Sequence, residues 1–184
     1  KNDHPALIDE LVPGQLTVGQ IQHVLQNLLA EKVPIKDLPT ILEALADHAL
    51  TVKDTDILCE YARHALARNI SALCVNDDNG MKVITLDHQL EKLIGDSIQN
   101  TKQGILAILP TEITQKIINE VTMATNEMAI AGYSPLILTG PNIRLAFRRL
   151  IAAALPKVTV ISFNELIPNL EVESIKTVRV KDED

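Results

Sequence analysis

Thr17-Val18-Gly19-Gln20-Ile21-Gln22-His23-Val24-Leu25-Gln26-Asn27-Leu28-Leu29-Ala30-Glu31-Lys32-Val33-Pro34-Ile35-Lys36-Asp37-Leu38-Pro39-Thr40-Ile41-Leu42-Glu43-Ala44-Leu45 carries two helix signatures back to back. Thr17 followed three residues later by Gln20 is a capping box, in which each side chain satisfies the other residue's free backbone N–H. Ile21, Val24, Leu25, Leu28 and Leu29 then fall at i, i+3, i+4, i+7 and i+8, one apolar stripe of a helix. Pro34 ends it. Asp37 is a good N-cap for the next helix, with Pro39 tolerated in its first turn. Ile41, Leu42 and Leu45, joined by Leu38, form the second stripe.

Working outward, Pro5, Ala6, Leu7, Ile8 and Leu11 suggest a short opening helix, ended by Pro13-Gly14. On the other side, Asp54 or Thr55 caps a third helix expected from Asp56 to about Ile70. Its apolar face is Ile57, Leu58, Tyr61, Ala62, Ala65, Leu66 and Ile70. Short connections between these helices imply a small all-α domain over residues 1–70.

The period changes near Ala72. Ala72–Val75 and Lys82–Leu86 are short apolar segments around Asn76-Asp77-Asp78-Asn79-Gly80, and Asn-Gly is a hairpin signal. His88–Ile98 is helical, and Asn100 to Gly104 is a loop. Thr111 caps a further helix with Ile113, Ile117, Ile118, Val121, Met128 and Ala129 inward, and Gly132 stands at its C-terminal turn. Pro135–Leu138 is a continuous apolar run, the pattern of a strand covered on both faces, and Val158–Ile161 reads as another buried strand. Between them Pro141 opens a helix with Ile143, Leu145, Phe147, Leu150 and Ile151. A turn at Asn164–Ile167 leads to a last strand bearing Val172, Ile175, Val178 and Val180, and the charged tail Lys181–Asp184 reads as frayed. The fold class is therefore mixed: a helical domain, then an α/β domain over residues 71–184 with a β-hairpin and alternating helices and strands.

The 184 residues are 46% hydrophobic and 22% charged, a globular composition that needs no disulfide or metal staple. Aromatics make up 2%, so the core is aliphatic. A net charge of −7 and scattered aromatics argue against nucleic-acid binding. Cys59 and Cys74 form no C-x-x-C pair and read as reduced thiols in an intracellular protein. No apolar run approaches the roughly 20 residues of a membrane helix. The chain begins at Lys1 rather than Met, which reads as a fragment of a longer protein.

The sequence carries no chemistry of its own. His4, His23, His48, His64 and His88 show no zinc-ligand spacing. Glycine-rich phosphate loops and a G-x-S-x-G elbow are missing. Leu138-Thr139-Gly140-Pro141-Asn142 follows a strand and opens a helix, where an anion could dock. It is a poor cradle, because Pro141 lacks an amide donor. No catalytic, cofactor-binding or metal residues are expected. Two charged clusters are candidate protein-interaction surfaces. Glu31, Lys32, Lys36 and Asp37 surround the corner at Pro34. Arg144, Arg148 and Arg149 lie on one helix, either as a solvated face or as a contact for an acidic partner.

The 25–47 stretch resembles the signature of the large export gate protein family of bacterial flagella, the FlhA family, with injectisome relatives sharing it more loosely. Leu11-Val12-Pro13, the 54–70 segment, Leu136–Leu138, Ile143-Arg144, Arg148-Arg149, Pro156 and Val160–Leu166 match in the same order. The resemblance implies the third (helical) and fourth (α/β) cytoplasmic subdomains of a multi-pass protein of the bacterial inner membrane. It implies a non-enzymatic, cofactor-free docking platform for protein export. Its partners would be copies of itself in a nonameric ring, chaperone–substrate complexes, the export ATPase and its stalk, and other gate subunits, with no nucleic acid. Two readings stand beside it: the equivalent gate protein of a virulence injectisome, and a small-molecule-binding α/β domain resting on the Gly140 turn.

Overall fold

A computed structural model describes residues 11–76 and 80–180. The expected opening helix at 5–11 falls almost wholly outside the described residues. So do Asp77-Asp78-Asn79 and the tail at 181–184. The chain divides into two compact units, one up to Leu73 and one from Cys74.

The first unit is all-α. Helix α1 spans Val18–Ala30, α2 Leu38–Ala49, α3 Thr55–Ala65 and α4 Ala67–Cys74. The capping box forms: Gln20 N–H donates to Thr17 Oγ1 at 3.2 Å and Thr17 N–H donates to Gln20 Oε1 at 2.9 Å. Asp37 caps α2 by accepting from Thr40 N–H, and Asp54 caps α3 by accepting from Asp56 and Ile57 N–H. The core is Leu11, Leu16, Val24, Leu28, Val33, Ile41, Leu42, Leu45, Leu58, Ala62, Leu66 and Ile70.

The stripes are narrower than their sequence pattern. Leu28 is buried while Leu29, its neighbour on the predicted stripe, is 52% exposed, and Leu25 is half-buried. The single helix expected over 56–70 is two helices. Leu66 closes α3, and α4 then continues through Ala72, Leu73 and Cys74. The break occurs without glycine or proline, and Leu66 and Ile70 are buried on either side of it. Ala72–Val75 is therefore not a strand, and no hairpin pairs it with residues 82–86.

The second unit is α/β, so the chain as a whole has the mixed class. Strand β1 spans Gly80–Leu86, α5 His88–Asp96, β2 Ile98–Thr101, β3 Gly104–Ala107 and α6 Thr111–Ile130. Then come β4 Leu136–Thr139, α7 Arg144–Ile151, β5 Thr159–Ser162, a 3₁₀ turn Phe163–Glu165 and β6 Glu171–Val178. Four strands form a parallel sheet in the order β5-β4-β1-β6. The apolar run Leu136–Leu138 is buried throughout, as a central parallel strand requires.

The hairpin of this unit is β2–β3, pairing Ile98 with Ala107 through Thr101 with Gly104. The expected loop at Asn100–Gly104 is its turn, where Gly104 takes φ 102°, a conformation glycine adopts freely. Thr111 does not cap α6; Pro110 holds that position and no side chain caps the helix. Pro141 lies in a turn closed by Ile143 N–H to Gly140 O at 3.3 Å, and α7 begins only at Arg144. Ala129, expected inward, is exposed.

Candidate functional site

The Pro34 corner is built from the C-terminal end of α1. Lys32 N–H bonds Leu29 O and Val33 N–H bonds Leu28 O, both at 2.9 Å. This is the pattern that closes helices with a left-handed residue. Glycine normally fills that position; here it is Lys32, at φ 61°. Val33 then folds back into the core beside Leu28.

The four charges predicted at this corner divide by role. Lys32 and Lys36 are exposed. Glu31 instead pairs inward with Arg63 at 3.4 Å, the arginine side chain being 2% exposed. Asp37 is committed to capping α2. Replacing Asp37 therefore acts on the helix first and on any partner second.

Arg63 and Asp56, both buried, escape hydrophobic patterning, although Arg63 is in phase with Cys59 and Leu66 on the buried side of α3. Ile57 and Tyr61, assigned to that face by hydrophobicity, are 37% and 36% exposed. Tyr61 stacks on His48 of α2 with ring centroids 3.7 Å apart.

At Lys32 a non-glycine residue in the left-handed conformation carries a backbone cost that glycine lacks. Lys32→Gly is expected to raise the urea-unfolding stability of the chain by about 0.5–1 kcal/mol. Unchanged or lower stability would show that the lysine side chain supports the fold.

The arginine cluster is corrected more sharply. Arg144 is fully buried, the bulkiest fully buried side chain among the described residues, and its Nη1 donates to Val160 O at 3.2 Å. It is neither a solvated face nor a free contact for a partner. Arg149 Nη1 donates to Ile105 O at 3.0 Å and ties α7 to β3. Arg148 Nη2 donates to Pro156 O at 3.2 Å, while its buried Nη1 has no acceptor among the described residues.

The carboxyl end of the parallel sheet is where α/β folds usually bind small ligands. Here the chain fills it with its own carboxylates. Glu91 of α5 accepts from Gly140 N–H at 2.9 Å, at the turn where an anion would dock. A Cβ at Gly140 would lie 2.8 Å from Asn142 Oδ1 and 3.4 Å from Glu91 Oε2, so the turn is tightly closed. Between β1 and β6, Asp87 donates its N–H to Val178 O at 2.9 Å, caps α5 through Gln89 N–H, and meets Arg179 Nε at 3.5 Å. After β5, Glu165 is 1% exposed and accepts from Ser162 N–H and Oγ. Among the described residues no group of three or more His, Cys, Asp or Glu stands together as a metal site.

The model of the FHIPEP family matches residues 1–171. The chain belongs to the FHIPEP family. It is 37% identical over 180 residues to the flagellar biosynthesis protein FlhA of Bacillus subtilis, spanning 98% of this chain and 27% of that protein. The CdsV protein of Chlamydia pneumoniae has a TM-score of 0.86 at 28% identity, covering 96% of this chain and 50% of that structure. The nonameric EscV cytosolic domain from a type III secretion system has a TM-score of 0.79 at 32% identity, covering 95% and 51%. The chain thus spans about a quarter of its flagellar relative and about half of those two solved structures. Among the described residues, no helix is long and apolar enough to cross a membrane.

Proposed function

We propose that this chain is part of a flagellar type III export gate protein, lying on the cytoplasmic face of the inner membrane. There it acts as an assembly and docking module that transforms no substrate. Residues 1–70 and 71–184 would be its helical and α/β subdomains. The supporting observation is the family match over nearly the whole length, together with close structural likeness to a nonameric cytosolic domain. The sites where an α/β unit would take a metabolite are filled by Glu91, Asp87 and Glu165, which disfavours the small-molecule reading. The flagellar form is preferred to the injectisome form because flagellar relatives reach 37% identity, in Bacillus subtilis, with others at 31–33%, while the injectisome structures reach 32%.

A heterologous ring repeats one contact around an axis, and closure adds weak contacts together. Chaperone–substrate complexes, the export ATPase and stalk, and the other gate subunits are the proposed partners of the ring. The proposed contact residues in this chain are Lys32 and Lys36 at the Pro34 corner and Arg148 on α7. Glu31, Asp37, Arg144 and Arg149 support the fold behind them.

The test uses the complete cytoplasmic region tethered on a membrane. Lys36→Glu is expected to weaken ring closure, seen by electron microscopy or crosslinking. Thermal stability should stay within about 0.5 kcal/mol, as for other exposed changes. Normal rings from Lys36→Glu and Lys32→Glu together would show that the corner is not an interface. Normal motility in cells carrying both would remove the assembly role from this surface.

A further inference from the structure

We infer that β6 is a detachable strap over the edge of β1, opening without the rest of the α/β unit. Strand β6 lies at the margin of the sheet, paired along one side with β1 from Gly80–Glu171 to Leu86–Val178. Of its eight residues, only Val178 is buried and Ile175 half-buried; the other six are exposed. Burial of apolar side chains is what normally holds a strand in place, and β6 has little of it. The opposite margin is unlike it: in β5, Val160, Ile161 and Ser162 are all buried.

What holds β6 besides the backbone ladder is mostly polar and open to water. Lys176 Nζ meets both carboxylate oxygens of Glu127 on α6, at 3.0 and 2.8 Å. Glu173 meets Lys82 of β1, and Arg179, just beyond the strand, meets Asp87 at 3.5 Å. Thr85 of β1 shares hydrogen bonds with Ser174 and Thr177 at 2.8 and 3.0 Å. The pairing also slips between Val83 and Ile84, so the ladder is interrupted in its middle. Exposed ion pairs are individually weak and screened by salt.

A segment with few buried contacts and a solvent-exposed ladder belongs to the low-stability end of a fold. By contrast β1 is anchored from its other side by β4 and by buried Met81, Val83, Ile84 and Leu86. When β6 leaves, β1 stays, with its hydrogen-bonding edge on that side open to water.

Amide hydrogen exchange on the intact chain, resolved residue by residue, tests this. Along β1, N–H groups alternate between the β6 side and the β4 side. Those facing β6, and the β6 amides that bond β1, are expected to exchange together and at least tenfold faster than those facing β4. Raising salt from about 0.05 to 1 M should speed only the fast class, by roughly threefold to tenfold. Glu127→Gln should do the same by about twofold to fivefold with the melting temperature unchanged. Uniform protection along β1, equal to that of β4 and indifferent to salt, would overturn the inference. So would a fast class whose rates move only with the melting temperature.

Discussion

Leu28→Asp is expected to unfold the helical unit, while Leu29→Asp one residue later should leave it folded. Both leucines sit on the apolar stripe of α1, yet Leu28 is fully buried and Leu29 is 52% exposed. Position 28 also anchors the closure of α1, since its carbonyl accepts from Val33 N–H. Truncating a buried leucine typically costs about 2–5 kcal/mol, and an ionised carboxylate left in the aliphatic seam adds several more. That sum rivals the entire stability of a small domain, about 5–15 kcal/mol. Leu29→Asp exchanges one exposed side chain for another and should stay within about 0.5 kcal/mol. The measurement is dispersion of backbone amide signals from residues 18–65 by NMR, with urea melts alongside. Equal behaviour of the two variants would disprove the core assignment for α1.

The contrast between these leucines also shows where the sequence is readable. Caps and breakers are legible because their chemistry is local: Thr17 with Gln20, Asp37 and Asp54 act on N–H groups two or three residues away. The buried strand at 136–138 is legible because a parallel strand covered on both faces has no polar side to confuse it. Strands β2 and β3 are not, since every residue of β3 is only half-buried and β2 is polar in its middle. The break at Leu66 leaves no trace because no glycine or proline marks it. The Asn76–Gly80 segment carries a genuine turn dipeptide, but β1 pairs in parallel with β4 and β6, partners some fifty and ninety residues away. Local turn chemistry says nothing about such distant pairing.

The candidate surface is partly legible for a related reason. Lysines at positions 32 and 36 read as exposed, and are. Charged residues on a buried stripe are misread in both units. Arg63 is in phase with Cys59 and Leu66, and Arg144 with Phe147 and Ile151, at helical spacing. Hydrophobic patterning discards such residues as solvent-facing, although a guanidinium buries readily once its donors are satisfied. Phase, taken without regard to polarity, points to both.

Arg144→Ala is expected to be the most damaging single change in the α/β unit. The side chain is fully enclosed at the start of α7, against the Phe147 and Ile151 stripe, and bonds the carbonyl of Val160 in β5. Removing it opens a cavity the size of a long side chain and takes a donor from a buried carbonyl. Cavities of that kind cost about 3–5 kcal/mol, and a lost buried hydrogen bond about 1–3 more. Arg144→Lys should recover only part of this, because an ammonium cannot reproduce the planar fork of donors. If Arg144 were instead a surface contact for an acidic partner, both variants would melt like the parent chain and only binding would change. Urea denaturation separates the two. A midpoint for Arg144→Ala within error of the parent would return this arginine to the surface.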